Sequence, residues 1–582
     1  MIHARKAARP AVLLTLVATL ACRAASAQQP DPQRQLPADQ RAYRASMAIA
    51  DPAQRLTAFR AFSVEYQDSK YFDSVQEAAL RLLLRYYPTR TSEIRDQVEV
   101  NVANADKGYE RWQEESAEAD LLADAGVLLP LAQKLAEDSN RNLNETTFLR
   151  GMARMYGELQ AEMPTPEELH GQYKEARATT LLALAHVYLR QGKRAQAAAL
   201  LDQAATLQPR NAQAHALRGE IAMAEHHNEV ALAELERAQA LGELSSGQRT
   251  SLLQMYRETH GGSDAGLEED LDKAYAELNP PAFTPPARKP IKAGHTVLLE
   301  LFTGSSCLPC VGADSAAETL LNTYGNDAVL LEWDEHVPRP DPLANPSSVE
   351  RAEGLGVGNT PTFFLDGKRM AVFGGTREGA PEVYAGLTRL VDVQVERPSG
   401  VELQLSATLD AKGSIHAQAT TATEAIGKLQ ATVADEIAPW PGDSIAVAEE
   451  AHTEAGFPPQ LVVNFALVED DVRYSGENGV RFHRMVVRAT SSPAAWGQPL
   501  HPGKTDTFLP TFDLSAVQRG LADYLDGFEK SNERFGPVQF LSKPVALQAA
   551  KLGVVAWVQD TRTHRVVQAA FARVSAAAVA AP

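Results

Sequence analysis

The chain has 582 residues, 44% of them hydrophobic and 22% charged, and carries a formal net charge of −18. That length exceeds what one hydrophobic core spans, so three or four domains are expected. The acidity opposes binding to a phosphate backbone and speaks for solubility, so no nucleic-acid partner is expected.

The first 27 residues read as a signal peptide. Arg5, Lys6 and Arg9 precede an apolar run from Ala11 to Ala21, and Ala25-Ser26-Ala27 has the small-x-small form of a cleavage site. Cleavage there leaves a mature chain that starts at Gln28, has a net charge of −22, and keeps only two of the three cysteines. The rival reading is a lipid anchor at Cys22 in Leu20-Ala21-Cys22, although Thr19 stands where an aliphatic residue is usual and Arg23 follows. After this segment no apolar run reaches the roughly 18 residues of a membrane span. The protein is therefore expected to be exported, periplasmic or extracellular.

Residues 28–175 read as helical hairpins. Asp51-Pro52 is an N-cap followed by a first-turn proline, and Leu56, Phe59, Phe62 and Tyr66 form an apolar stripe. In residues 176–278 a 34-residue frame starting at Ala178 places Leu184, Ala185, Tyr188, Ala197, Leu201 and Ala204 on small and apolar positions. The next frame starts at Ala212 and places Gly219, Ala222, Ala231, Leu235 and Ala238 likewise. This is the tetratricopeptide pattern, in which small residues let the two helices of a repeat approach. A third, degenerate unit spans Ser246 to Leu278 with Leu253 and Tyr256 in phase. Stacked repeats form a concave face that takes a peptide or a partner protein; here the chain's own neighbouring domain is the other possible occupant. Residues 279–295, with five prolines, read as a semi-rigid, protease-sensitive linker.

The segment 296–397 is α/β. A strand from Thr296 to Phe302 runs into Cys307-Leu308-Pro309-Cys310, and a helix starts at that motif. The second strand is Ala328 to Trp333; Thr360-Pro361 leads into Thr362 to Leu365, and Asp366-Gly367 turns into Met370 to Phe373. Unpaired N–H groups and the positive helix end lower a cysteine pKa. Cys307 is then the exposed nucleophile, and the more buried Cys310 resolves the mixed disulfide. A structural disulfide is the competing reading for an exported chain. No cofactor is expected, and no metal, since four ligands at zinc spacing are not visible.

Glu300-Leu301-Phe302-Thr303, the Cys307 and Cys310 pair, Ala313-Asp314, the loop with His336, Asp341-Pro342 and Pro346, and Thr360-Pro361 resemble a secreted thioredoxin-like family over about 100 residues. Val311-Gly312 departs from that family's proline pair, and Leu308-Pro309 is closer to thioredoxin itself. The resemblance implies the fold and the cysteine pair. It also implies that Pro361 is cis against the active-site disulfide and that Thr360 faces the substrate. By analogy with thioredoxin, Glu300 is a buried carboxylate of raised pKa that accepts a proton from Cys310, although its spacing is one residue longer. His336 follows the second strand and reads as an exposed loop residue, the other reading being that it tunes the thiolate.

From 398 to 577 alternating strands suggest a β-sandwich: Val401–Leu409, Ile415–Thr421, Gln460–Val472, Val480–Thr490 and a hairpin Gly553–Arg573 turning at Asp560 to Thr563. Helical insertions are expected at Leu514–Phe528 and near Asp443–His452, and His483 with Arg484 reads as a structural pair. The whole is then an exported thiol–disulfide oxidoreductase with protein clients, an unidentified redox donor or acceptor and a repeat scaffold. The alternative is a non-catalytic interaction scaffold with a stapling disulfide.

Overall fold

The computed structural model describes residues 36–576 except 106–110, 159–162, 164, 243, 289–293, 371–373, 424–459, 492–496, 533 and 536–537. The signal segment, Cys22, Gln28, most of the Met370–Phe373 strand and the helix near Asp443–His452 lie outside the described residues.

The N-terminal half is a helical repeat region: α1 (Ala38–Met47), α2 (Pro52–Glu65), α3 (Phe72–Tyr86), α4 (Thr91–Asn104), α5 (Arg111–Ala125), α6 (Leu129–Asn142), α7 (Glu145–Glu158), α8 (Pro166–Arg190), α9 (Arg194–Leu207), α10 (Ala212–Ala224), α11 (Asn228–Leu241), α12 (Ser246–Thr259) and α13 (Leu267–Leu278). Asp51 caps α2 by accepting the Gln54 N–H at 2.8 Å, and Leu56, Phe59 and Phe62 are buried from it. Helix α10 begins at the residue where the second 34-residue frame begins, and Ala197, Leu201, Ala231 and Leu235 are buried completely. A Cβ on Gly219 would lie 3.0 Å from Leu235 Cγ and 3.5 Å from the Ala231 carbonyl, so the small residue sets how closely α10 and α11 pack.

The α/β unit follows with β1 (Val297–Thr303), α14 (Cys310–Tyr324), β2 (Ala328–Asp334), α15 (Pro346–Gly354), β3 (Thr362–Leu365), β4 (Lys368–Arg369) and α16 (Ala380–Val395). Strands β1 and β2 pair in parallel, Val297 with Ala328 through Thr303 with Asp334, and β3 lies antiparallel on the other side of β1. Both β1 and β2 are buried along their whole length, as strands covered on both faces are.

The C-terminal region contributes β5 (Val401–Leu409), β6 (Ser414–Thr423), β7 (Leu461–Glu469), β8 (Val472–Arg473), β9 (Phe482–His483), β10 (Val486–Thr490), β11 (Gln498–Pro499), β12 (Thr505–Phe508), β13 (Thr511–Asp513), α17 (Leu514–Ser531), β14 (Leu552–Asp560), β15 (Val566–Arg573) and β16 (Ser575–Ala576). Two packed sheets are present, as expected, but one of them does not belong to this region alone. Val486 of β10 pairs in parallel with Glu332 of β2, and the sheet runs β15-β14-β7-β10-β2-β1-β3-β4. The Glu332 N–H donates to the Met485 carbonyl at 3.1 Å, so β10 closes an edge of β2 that would otherwise leave its backbone groups unpaired. Alternation along β14 serves two cores: Val554, Ala556 and Val558 face β5 and β6, whereas Val555 and Trp557 join the core of the α/β unit.

The proline-rich stretch is packed in part rather than free. Phe283 packs on Tyr384 with the rings tilted and their centroids 5.3 Å apart, and Arg288 pairs with Asp327 at 2.8 Å and lies 3.9 Å over the Tyr324 ring. No described helix is long and apolar enough to cross a membrane.

Candidate functional site

Between the end of β1 and the start of α14 the chain makes a compact loop. The Cys307 N–H donates to the Gly304 carbonyl at 2.9 Å and the Cys310 N–H to the Cys307 carbonyl at 3.1 Å. This turn brings the two sulfurs together, and Cys307 and Cys310 form a disulfide with Cα atoms 5.3 Å apart. Pro309 is the residue that caps α14, so Cys307 precedes the helix by one turn of loop.

Two segments pack on this loop. A Cβ on Gly374 would sit 2.0 Å from the Pro309 carbonyl oxygen and 2.4 Å from Pro361 Cγ, so only a glycine lets the backbone pass between the two prolines. The Gly375 N–H then donates to the Pro309 carbonyl at 2.8 Å, and the Gly312 N–H to the Gly375 carbonyl at 2.9 Å. On the other side Asn478 donates its backbone N–H to the Ser305 carbonyl at 3.0 Å and its side chain to the Gly304 carbonyl at 3.3 Å. Enclosed in this way, Cys307 is 2% exposed and Cys310 0%, while Leu308 between them is 68% exposed. The exposed nucleophile expected from sequence is therefore a buried sulfur in this disulfide state. The Thr360–Pro361 bond is cis, and the Thr360 hydroxyl donates to the Val337 carbonyl at 3.2 Å.

Glu300 does not sit where the analogy placed it. Thr303 donates its hydroxyl to Asp314 of α14 at 2.9 Å, so Thr303, Leu301 and Leu299 face the helix that carries Cys310. Glu300 faces the opposite side, because β1 pairs with β2 without a register shift that could reset the alternation. There Arg351 donates to both of its oxygens at 2.8 Å, and Trp333 Nε1 reaches it at 3.2 Å. Glu300 serves instead as half of a buried ion pair with Arg351.

The acids that do share the face of α14 are ones the sequence reading passed over. In β2, Glu332 pairs with Leu301 and Asp334 with Thr303, so both point to the same side as Asp314. Burial raises the carboxyl of Asp314 well above its ordinary range, with the nearby Glu332 adding to the effect. Burial likewise pushes Glu332 up to about 8 and holds Asp334 well above normal. Asp341, close by, accepts the Ser305 N–H at 2.5 Å and the Leu343 N–H at 2.8 Å. The available signal was the alternation of two acids in an otherwise apolar strand, Glu332 and Asp334 on either side of Trp333.

His336 is enclosed rather than exposed. Its Nδ1 accepts the Asp341 N–H at 2.9 Å, its Nε2 meets the Tyr524 hydroxyl at 3.0 Å, and its ring stacks 3.8 Å from Phe528. Burial lowers it to about 3, so it is a neutral imidazole. The expected pair of His483 and Arg484 divides. Arg484 is the structural member, bound to Asp470 at 2.6 Å and Glu318 at 3.1 Å, whereas His483 points its Nδ1 toward Glu332, 3.4 Å away.

The repeats touch the same neighbourhood. Arg481, beside β9, donates to Asp272 at 2.8 Å and Glu268 at 2.6 Å on α13, and Tyr275 meets Phe482 edge-on at 5.5 Å. Part of the repeat surface is thus occupied by the chain's own C-terminal region.

No family model matches the chain, and no curated protein matches it. Among solved structures, HBP35 of Porphyromonas gingivalis aligns with a TM-score of 0.33 and 16% identity, covering 50% of this chain and 80% of that one. A domain of the outer membrane lipoprotein Omp28 from Porphyromonas gingivalis aligns with a TM-score of 0.16 and 15% identity, covering 30% of this chain and 89% of that domain. Likenesses at this level carry no argument about function. What the chain presents on its own residues is a helical repeat region docked on an α/β unit with a CxxC disulfide and a buried acidic face beneath it.

Proposed function

We propose that the protein is an exported thiol–disulfide oxidoreductase acting on protein thiols or disulfides, with the repeats holding a peptide or protein partner. The observation that carries this reading is the Cys307–Cys310 disulfide where β1 passes into α14, held against Pro361 through Gly374. In the reducing direction the Cys307 thiolate attacks a client disulfide, forming a mixed disulfide and releasing one client thiol. Cys310 then attacks the Cys307 sulfur, releases the second client thiol and leaves the Cys307–Cys310 disulfide, two electrons having passed to the client. A thiol reductant must restore the dithiol; run backwards, the same steps oxidise a client. Thr360 and Pro361 are the residues proposed to face the client strand.

A second reading rests on the burial of both sulfurs. A disulfide closed off by the Gly374–Gly375 and Asn478 segments suits a structural staple in an interaction scaffold. The reduction potential of Cys307–Cys310 separates the two. A potential in the range of known exchange catalysts supports the oxidoreductase, and one below about −300 mV supports the staple. Cys310→Ser should also accumulate Cys307-dependent mixed disulfides on non-reducing gels of an expressing strain; none, even under thiol stress, would leave the staple.

A further inference from the structure

We propose that Glu332, Asp334 and His483 form a binding site for one divalent transition-metal ion, lying under the helix that starts at Cys310.

The ligand atoms are already gathered. One ring nitrogen of His483 and one carboxylate oxygen from each of Glu332 and Asp334 lie within 4.8 Å of one another. All three side chains are buried, with exposures of 3% for Glu332, 1% for Asp334 and 2% for His483. They come from separate places in the chain: the two acids from alternate positions of β2, the histidine from β9, which the sheet brings alongside through β10.

The hydrogen bonding assigns the lone pairs. His483 Nε2 is 3.1 Å from the Tyr474 carbonyl, which can only accept, so Nε2 carries a proton, and in the neutral ring Nδ1 presents a lone pair. That nitrogen lies 3.4 Å from Glu332 Oε1. Glu332 uses its other oxygen, Oε2, to accept the Arg484 N–H at 3.3 Å, while Oε1 and both oxygens of Asp334 accept no hydrogen bond among the described residues. An imidazole nitrogen and the oxygens of two carboxylates thus converge in the buried interior, with no donor between them among the described residues. A buried carboxylate without partners is costly. Protons on the two buried carboxyls are the other way to neutralise the cluster, and a metal must displace them. A cation meets all three groups at once, and two carboxylates balance its double charge.

The arrangement around the ligands is that of a metal site. The histidine gives its second nitrogen to a backbone carbonyl and the glutamate its second oxygen to a backbone N–H, the outer bonds that fix ligand orientation. One imidazole with two carboxylates suits Zn²⁺, Mn²⁺, Fe²⁺ or Co²⁺. The guanidinium of Arg484 does not supply the missing charge, being bound to Asp470 and Glu318. Because the ligands come from the α/β unit and the C-terminal region, bound metal ties the two together.

The test uses the full mature chain, chelator-treated and dialysed, titrated calorimetrically with zinc chloride and separately with manganese chloride, and melted with and without each. One equivalent of at least one metal should bind and raise the melting temperature, and a chelator should reverse the rise. Asp334→Asn and His483→Gln, each checked for native circular dichroism, should weaken binding by more than the roughly 10- to 100-fold that loss of an outer-shell partner costs. Cys307→Ser/Cys310→Ser should bind as the wild type does, which separates this site from zinc held by thiolates. The proposal is overturned if neither metal binds stoichiometrically or shifts the melt, the result expected of a cluster held by protons alone, or if both ligand variants bind unchanged. If a ligand variant does not fold, the wild-type titration and its reversal decide.

Discussion

Arg351 grips both oxygens of Glu300 at 2.8 Å on the sheet face opposite the one that carries Asp314. Glu300 is fully buried and Arg351 nearly so, so truncating either partner strands a charge in the interior. Arg351→Ala should cost about 3–5 kcal/mol by urea denaturation, and Glu300→Gln/Arg351→Met should recover most of that loss. Because Glu300 faces away from Cys310, Glu300→Gln should leave the Cys307–Cys310 reduction potential where it is. A marked shift in that potential would restore the proton-acceptor role.

Gly374 and Gly375 offer a paired test of the cover over the disulfide. A Cβ at Gly374 meets the Pro309 oxygen at 2.0 Å, whereas one at Gly375 meets nothing within 4 Å. Gly374→Ala should destabilise the fold by about 1–3 kcal/mol and speed reduction of the disulfide by dithiothreitol. Gly375→Ala should do neither. Equal reduction rates in the two variants would mean that this segment does not shield the sulfurs.

Gly219 tests the packing of the repeats. Its Cβ position lies 3.0 Å from Leu235 Cδ2 and Cγ, so Gly219→Ala should change stability by no more than about 1 kcal/mol, the helix-propensity gain offsetting the crowding. Gly219→Leu cannot be accommodated and should cost about 1–3 kcal/mol, read from the helical circular dichroism in urea. Gly157, on α7 with nothing within 4 Å, should tolerate alanine with a gain.

The helical region should lose stability as the pH rises. Glu118, held by Asn101 at 2.6 Å, is pushed up to about 9, chiefly by burial. Between the ordinary glutamate range near 4.5 and that value, the folded chain holds a proton that the unfolded chain has released, so unfolding is favoured increasingly across the interval. The cost is absent below the unfolded value and complete above the folded one. Urea midpoints of the helical signal should fall from about pH 5 to about pH 9, and Glu118→Gln should flatten that slope. An unchanged slope in the variant would place the dependence elsewhere.

Much of the fold was legible because the signals were local. The frame starting at Ala212 names the first residue of α10, and Asp51-Pro52 names the start of α2. The strand before Cys307 and the helix after it follow from composition and spacing over a few residues each, whereas the cis bond at Thr360-Pro361 is what the resemblance implied. What escaped was non-local or a matter of parity. Nothing near Val486 announces that it pairs with Glu332, since the partner lies far back in the chain. A carboxylate at position 300 and ones at 332 and 334 look alike in an apolar strand, and only the contact of Thr303 with Asp314 shows which belong to the cysteine side. The loop before Cys307 is held by Asn478, far on in the chain, which no reading of the motif alone could supply.

The pairing of β10 with β2 has a practical consequence for anyone who would study the disulfide in isolation. A fragment ending at Arg397 would carry the cysteines, both flanking strands and the proline, yet its β2 would be a bare, mostly apolar edge, robbed of the Met485 carbonyl that receives the Glu332 N–H. Such an edge recruits other copies of itself. The smallest soluble piece is expected to run from His295 through Ala576, and any redox value measured on a shorter one would describe an aggregate.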